Sequence, residues 1–422
     1  MTAVTEPPPR IATLDIVRGV AVMGILAMNI VGFAMPQEAY VNPIAYGTKS
    51  GADMLSWALS FVFIDGKMRG LFSFLFGASM LLVIQNAEAK GESGARVHFR
   101  RMLWLLLFGY LHYYLIWFGD ILTGYATIGL IAWFFHAASP KKLLIWGGVF
   151  VAIQFLLFAA MAVSFQYMSE TAAAPGASAE TVKQWAEMQR GFAIPSDADL
   201  ARSLTLYRGG WLDLARHQLV DKTFEPLIML AVFGWETLGY MLLGMAALKT
   251  GFFTGSWSDA LYRKIALIGF AITIPAYSLL AWLLWSDGFT PGMMPTFAFA
   301  GPVLFRPLMV IATAALIILL TRRGGALVER IAAAGRAAFT NYLGTSILMT
   351  TLFYGYGGGL FGTMGRAELW LVVLAMWALM LLWSKPWLDR YRYGPFEWLW
   401  RSLARGGAQP MRKTAVEGGL AA

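Results

Sequence analysis

Asp15 and Arg18 stand one helical turn apart in the phrase Leu14-Asp15-Ile16-Val17-Arg18-Gly19, at the head of the first long apolar run. Ionisable side chains within a membrane span cost roughly 2.5 to 3.5 kcal/mol each on insertion scales, which makes such a pair a functional candidate. The same spacing also suits mutual neutralisation at the membrane edge. Asn29 follows on the same helix face through Val22 and Ile25, carrying polarity roughly 16 Å along the helix; it can equally bond a neighbouring helix. His112 is the one histidine in the middle of an apolar run. Its neutral imidazole can act as a general base near neutrality or pack as a satisfied core residue beside tyrosines. Asp120 lies two turns further on, too far for a pair on a straight helix, although Gly119 can break that helix.

Glu236 falls halfway along another apolar run and needs a partner or a proton. Arg306 reads as an outer-leaflet anion ligand or a snorkelling cation. Asn341 shares a polar stripe with Tyr342, Thr345 and Ser346, the pattern of interhelical hydrogen bonding. Asp65-Gly66-Lys67-Met68-Arg69-Gly70 interrupts a further apolar run. Asp213 and His217 are one turn apart in a polar segment, where a solvated face is the commoner meaning.

The elements that hold these groups are apolar. The 422-residue chain is 58% hydrophobic, with a mean hydropathy of +0.59 and 14% charged residues, against about 25% in soluble domains. That composition specifies an all-α polytopic bundle. Spans of about 20 residues are predicted near 16–35, 71–86, 102–118, 121–138, 143–166, 226–248, 264–286, 303–321, 337–355 and 368–384, about ten in all, with an interfacial or half-inserted helix before Asp65. Residues 1–166 form an N-terminal transmembrane half, 167–225 an extracytoplasmic amphipathic cap, 226–405 a C-terminal half and 406–422 a flexible cytoplasmic tail. The first span reads as retained rather than cleaved.

The formal charge of +9 is carried by short loops between spans, including Lys90, Arg96, Arg100 and Arg101. This places those loops and both termini on the cytoplasmic side and argues against nucleic acid as a partner. With no cysteine, disulfides, thiolate metal sites and a cysteine nucleophile are excluded. No phosphate loop, nucleophile elbow or zinc signature is present, and no metal is expected. No strong internal repeat points to the inverted architecture of many transporters.

The opening Leu14-Asp15-x-x-Arg18-Gly19-x-Ala21-x-x-Gly24-Ile25-Leu26-x-x-Asn29 resembles that of the YeiB family of bacterial inner-membrane proteins. Later blocks are similar too: Phe63-x-Asp65-Gly66-Lys67, Leu71-Phe72-Ser73-Phe74-Leu75-Phe76-Gly77, Gly109-x-x-His112, Gly119-Asp120-Ile121-Leu122, Gly335-Arg336-x-x-x-Thr340-Asn341-Tyr342-Leu343 and Tyr393-Gly394-Pro395-Phe396-Glu397-Trp398-Leu399-Trp400-Arg401. The opening is also similar to integral-membrane acyltransferases of surface polysaccharides and to heparan glucosaminide acetyltransferases. In the polysaccharide group an arginine and a histidine on the first span are separated by ten residues; Arg18 matches the arginine, and Asn29 stands at the histidine position.

The wider resemblance implies transfer from cytoplasmic acyl-CoA, a donor substrate, to a hydroxyl or amine of a glycan, lipid or small molecule. On this reading His112 replaces the missing base, Asp120 orients it and Asn29 donates to the oxyanion. Arg18 holds CoA phosphate or the thioester, and Asp15, Asp65, Glu236, Arg306 and Asn341 are substrate-binding candidates. Membrane lipids are the expected surroundings, and a homo-oligomer is left open. The competing reading is a transporter or lipid-handling protein whose charged residues line a polar path.

Overall fold

The computed structural model describes residues 11–413; residues 1–10 and 414–422, including most of the predicted flexible tail, lie outside the described residues. Among the described residues the fold is an all-α polytopic transmembrane bundle without strands. The chain opens with α1 (Ala12–Ala34), α2 (Glu38–Val41), α3 (Gly51–Phe63) and α4 (Lys67–Glu88), the last two separated where Gly66 takes a φ of 71°. α5 (Gly94–Leu115) and α6 (Leu122–Ala132) form a tight pair, and α7 (Pro140–Ala173) is the longest helix. The cap carries α8 (Ala179–Met188), α9 (Asp197–Tyr207) and α10 (Trp211–Val220). The remainder comprises α11 (Glu225–Lys249), α12 (Asp259–Ser286), α13 (Gly301–Thr321), α14 (Ala326–Arg336), α15 (Ala338–Phe353), α16 (Arg366–Arg390) and α17 (Pro395–Arg405).

Among the described residues seven segments are long and apolar enough to cross a membrane: α1, α3 with α4, α7, α11, α12, α13 with the turn before it, and α16. The sequence reading counts three more. Of these, α5 is too polar at its Arg96-to-Arg101 end, and α6 and α15 are only 11 and 16 residues long.

The apolar stretch of α1 is 83% buried, against 22% for α7 and 28% for α16, so α1 is the axis of the bundle. Leu156 and Val163 on α7, and Leu371 and Leu382 on α16, are exposed and suit contact with lipid. α1 packs on α4, α13, α14, α15 and α16. Its approach to α14 is backbone on backbone: a side-chain carbon on Gly335 would strike the Asp15 carbonyl, and one on Gly19 the Ile331 carbonyl. Small residues at such crossings let membrane helices gain packing energy that lipid does not supply. Gly335→Val should therefore lower stability by about 1–3 kcal/mol or more, read as a lower melting temperature of the detergent-purified protein.

The cap rests on the helix ends beneath it. The Trp211 indole donates to the Leu115 carbonyl at 2.7 Å, and Arg208 Nε donates to the Phe361 carbonyl at 2.8 Å. At the opposite end of α5, amphipathic α17 lies across the bundle. Trp400 donates to the Arg101 carbonyl at 2.9 Å, and the Glu397 carboxylate accepts from the Phe339 and Thr340 amides at 2.6 and 3.0 Å, capping α15.

Burial raises the Glu397 carboxyl above its usual value, while the Thr340 bonds oppose the shift. The folded state thus holds this proton more tightly than the unfolded chain. The corresponding stability is full below the ordinary value of 4.5 and declines as pH rises through the raised one. Thermal melts between pH 4 and pH 8 (roughly the range where stability is greatest) should show a decline that flattens in Glu397→Gln. Residues 406–413, predicted as the start of a flexible tail, instead fold back: Trp398 donates to the Gln409 carbonyl at 2.7 Å and the Arg392 amide to the Met411 carbonyl at 2.9 Å.

Candidate functional site

The α5 helix stops at Leu115, where the Ile116 and Trp117 amides both close on the His112 carbonyl, at 3.0 and 2.9 Å. The chain then reverses through Gly119, where any side chain would run into the Trp117 indole. Gly109 permits the return strand of chain to press close, since a side chain there would meet Thr123. Asp120 therefore comes back to His112, with Nδ1 2.8 Å from Oδ1 and both side chains 1% exposed. The Thr123 amide donates to the other carboxylate oxygen at 2.7 Å, and the Ile121 amide donates to the Tyr342 hydroxyl at 3.2 Å.

An imidazole whose Nδ1–H is held by a carboxylate presents a lone pair at Nε2. Here Nε2 is buried and has no hydrogen-bond partner among the described residues. The ring lies against Tyr342 (centroids 5.2 Å apart) and Trp117 (6.4 Å). Trp117 in turn stacks on Phe33 of α1 at 3.8 Å and donates to the Gly32 carbonyl at 3.4 Å, so one indole separates His112 from the first span.

On α1, Arg18 bonds Asp15 at 3.1 Å, as its spacing suggests, and also donates to Ser79 of α4 at 2.6 Å. Asn29 is 5% exposed and accepts from the Tyr40 hydroxyl at 3.2 Å. Arg18 and Asn29 thus take partners on α1, α4 and α2, while His112 takes Asp120. Asn341 is engaged by its neighbours: its amide donates to the Ala334 carbonyl (3.0 Å) and Ser384 (3.3 Å), and its oxygen accepts from the Trp383 indole (2.8 Å).

A second polar centre lies among α3, α4, α11, α13 and α16. Glu236 receives Arg306 Nη1 at 2.7 Å on both oxygens, Arg69 at 3.1 Å and the Tyr240 hydroxyl at 3.3 Å. Arg306, expected to be an outer anion ligand or a snorkelling cation, is 7% exposed and takes an internal carboxylate as its anion. Lys67 is 1% exposed, donates to the Phe61 carbonyl and sits 3.4 Å above the centre of the Tyr277 ring. Asp65 lies in the field of Lys67, Arg306 and Arg366. With Tyr40, Ser56, Ser60 and Arg366 it lines a cavity of about 30 Å³, room for a water.

Arg69, Lys67, Arg366 and Tyr40 were not among the sequence candidates for binding. The charges at Lys67 and Arg69 were visible, but only as a break in an apolar run. In the cap, His217 pairs with Asp221 at 2.8 Å rather than with Asp213. Among the described residues no group of three or more His, Asp or Glu could hold a metal ion.

Residues 247–407 match a family model described as a protein of unknown function, DUF418. The chain is 33% identical over 414 residues to the uncharacterized protein YeiB of Escherichia coli, covering 95% of this chain and 98% of that protein. It is 32% identical over 426 residues to the uncharacterized protein YxaH of Bacillus subtilis, covering 96% of each. No solved structure matches it. A likeness at this identity that runs nearly end to end on both proteins, and takes in both polar centres, makes this multi-pass membrane chain a member of the YeiB family.

Proposed function

We propose that the chain is an integral-membrane acyltransferase that moves an acyl group from acyl-CoA to a hydroxyl or amine, working in a bacterial inner membrane with both termini cytoplasmic. The observation that carries this reading is the buried His112/Asp120 pair with an unpartnered Nε2. A base needs its lone pair uncommitted and its tautomer fixed, and the pair supplies both. Nε2 takes the proton of the acceptor O–H or N–H as that atom attacks the thioester carbonyl. The tetrahedral intermediate then expels the CoA thiolate, breaking the C–S bond, and the imidazolium returns the proton to the sulfur. Asp120 stabilises the transient imidazolium. Arg18 is assigned to the donor, and Asn29 to the developing oxyanion, a role worth several kcal/mol when preorganised.

The test is incubation of liposome-reconstituted protein with radiolabelled acetyl-CoA and extracted membrane lipid or glycan. Label appearing in an acceptor with matching release of free CoA supports transfer. Uptake of label into the lumen without product favours the second reading, a transporter or lipid-handling protein. The observation on that side is the charged centre of Asp65, Lys67, Arg69, Glu236, Arg306 and Arg366 within the spans, since such groups mark substrate paths in membranes.

A further inference from the structure

A wide cleft lies away from both polar centres, at the end of the bundle where α4 turns into α5 and α17 crosses it. It has a volume of about 550 Å³, within the range of small-molecule sites. Among the described residues six cations line it, Lys90, Arg96, Arg100, Arg101, Arg401 and Arg405, with one carboxylate, Glu92. Burial, and after it the like charges of Arg401, Arg405 and Arg18, disfavour the charge on the Arg101 guanidinium. The tendency of bases to collect on one face of a membrane explains their presence at this end. It does not explain why two segments some 300 residues apart fold their cations into one hollow.

The cations are also held in place. Arg101 lies over the Trp400 ring at 4.1 Å and Arg401 over Tyr393 at 4.5 Å, so two guanidinium planes are fixed before any ligand arrives. Arg405 reaches Glu92 at 3.7 Å, linking α17 to the α4–α5 turn. α17 then ends at Gly406 with a φ of 73°, and a side chain there would press on Arg100. The N-terminus of α5, capped by Ser93, opens on the same hollow and adds its partial positive charge.

We infer that this cleft binds a ligand bearing two or more clustered phosphates, the group that fixed guanidinium planes grip best. The phosphates can be those of a soluble nucleotide such as coenzyme A or those of an anionic lipid headgroup. Identifying them with the acyl donor rests on the function proposed above; the phosphate site itself does not.

The experiment titrates full-length protein in phosphatidylcholine nanodiscs with coenzyme A by calorimetry, and separately measures cardiolipin retention by native mass spectrometry. Micromolar binding of either probe is expected, weakening with salt and falling at least tenfold in the double variant Arg96→Gln, Arg100→Gln. Arg405→Gln, on a different helix, should weaken it as well, which separates a lost site from a damaged α4–α5 turn. Coenzyme A binding that survives in His112→Ala supports the site independently of chemistry. Cardiolipin binding alone supports the phosphate site while detaching it from the donor. If neither probe binds, or if binding is indifferent to these arginines, the inference is overturned.

Discussion

Under the proposed acyl transfer, replacing His112 with alanine is expected to lower the rate about 10²- to 10⁴-fold, the range that a positioned base contributes, while donor binding is retained. The expectation follows from the 2.8 Å bond to Asp120 and the uncommitted Nε2. Asp120→Asn tests the other half of the pair. An amide there can present its NH2 to Nδ1 and turn the N–H to Nε2, so the ring keeps its place and loses its basic tautomer. Rate should fall nearly as far as in His112→Ala, with little change in melting temperature. Labelled acyl transfer in proteoliposomes reads the rate, and a scanning-fluorimetry melt reads the fold. Undiminished transfer in His112→Ala would remove the imidazole from the mechanism.

The second large effect concerns stability. Glu236 is 2% exposed and holds Arg306 through two 2.7 Å bonds, with Arg69 at 3.1 Å. Breaking a buried ion pair from one side costs about 3–5 kcal/mol because the remaining charge is stranded. Glu236→Ala should therefore give poorly folded protein with a strongly reduced melting temperature. Removing both charges together, as Glu236→Leu with Arg306→Leu, should recover much of the loss, since paired burial itself contributes little net stability. Arg69, whose side chain is 20% exposed, can turn outward in that double variant. A Glu236→Ala protein that melts like the wild type would show that the carboxylate is not what holds these arginines.

What the sequence discloses divides by range. The Asp15–Arg18 bond is legible because three-residue spacing sets neighbours on a helix, and membrane character is legible because apolar length is local. Glu236 announces the need of a partner, but the partner is 70 residues away in Arg306, and spacing carries no information about that distance. The same holds for Glu397 and the start of α15, and for Trp400 and Arg101. The His112–Asp120 pair is an intermediate case: eight residues on a straight helix would separate them, and only the possibility of a break at Gly119 hints that they meet. The ten predicted spans outnumber the seven long apolar segments where an apolar run is short or charged at one end, because hydropathy locates α5, α6 and α15 without saying how far each penetrates.

The α5–α6 reversal has one more implication. His112 and Asp120 sit on opposite sides of a corner made by residues 116–119, and the cap leans on that corner through Trp211 and the Leu115 carbonyl. The clasp between base and carboxylate is therefore also the latch of the corner. A displacement of the corner large enough to admit an acceptor from the cap side would part the two side chains, so opening and disarming are one movement. Under the proposed function, an acceptor entering there would meet the base and carboxylate paired only once the corner had closed behind it.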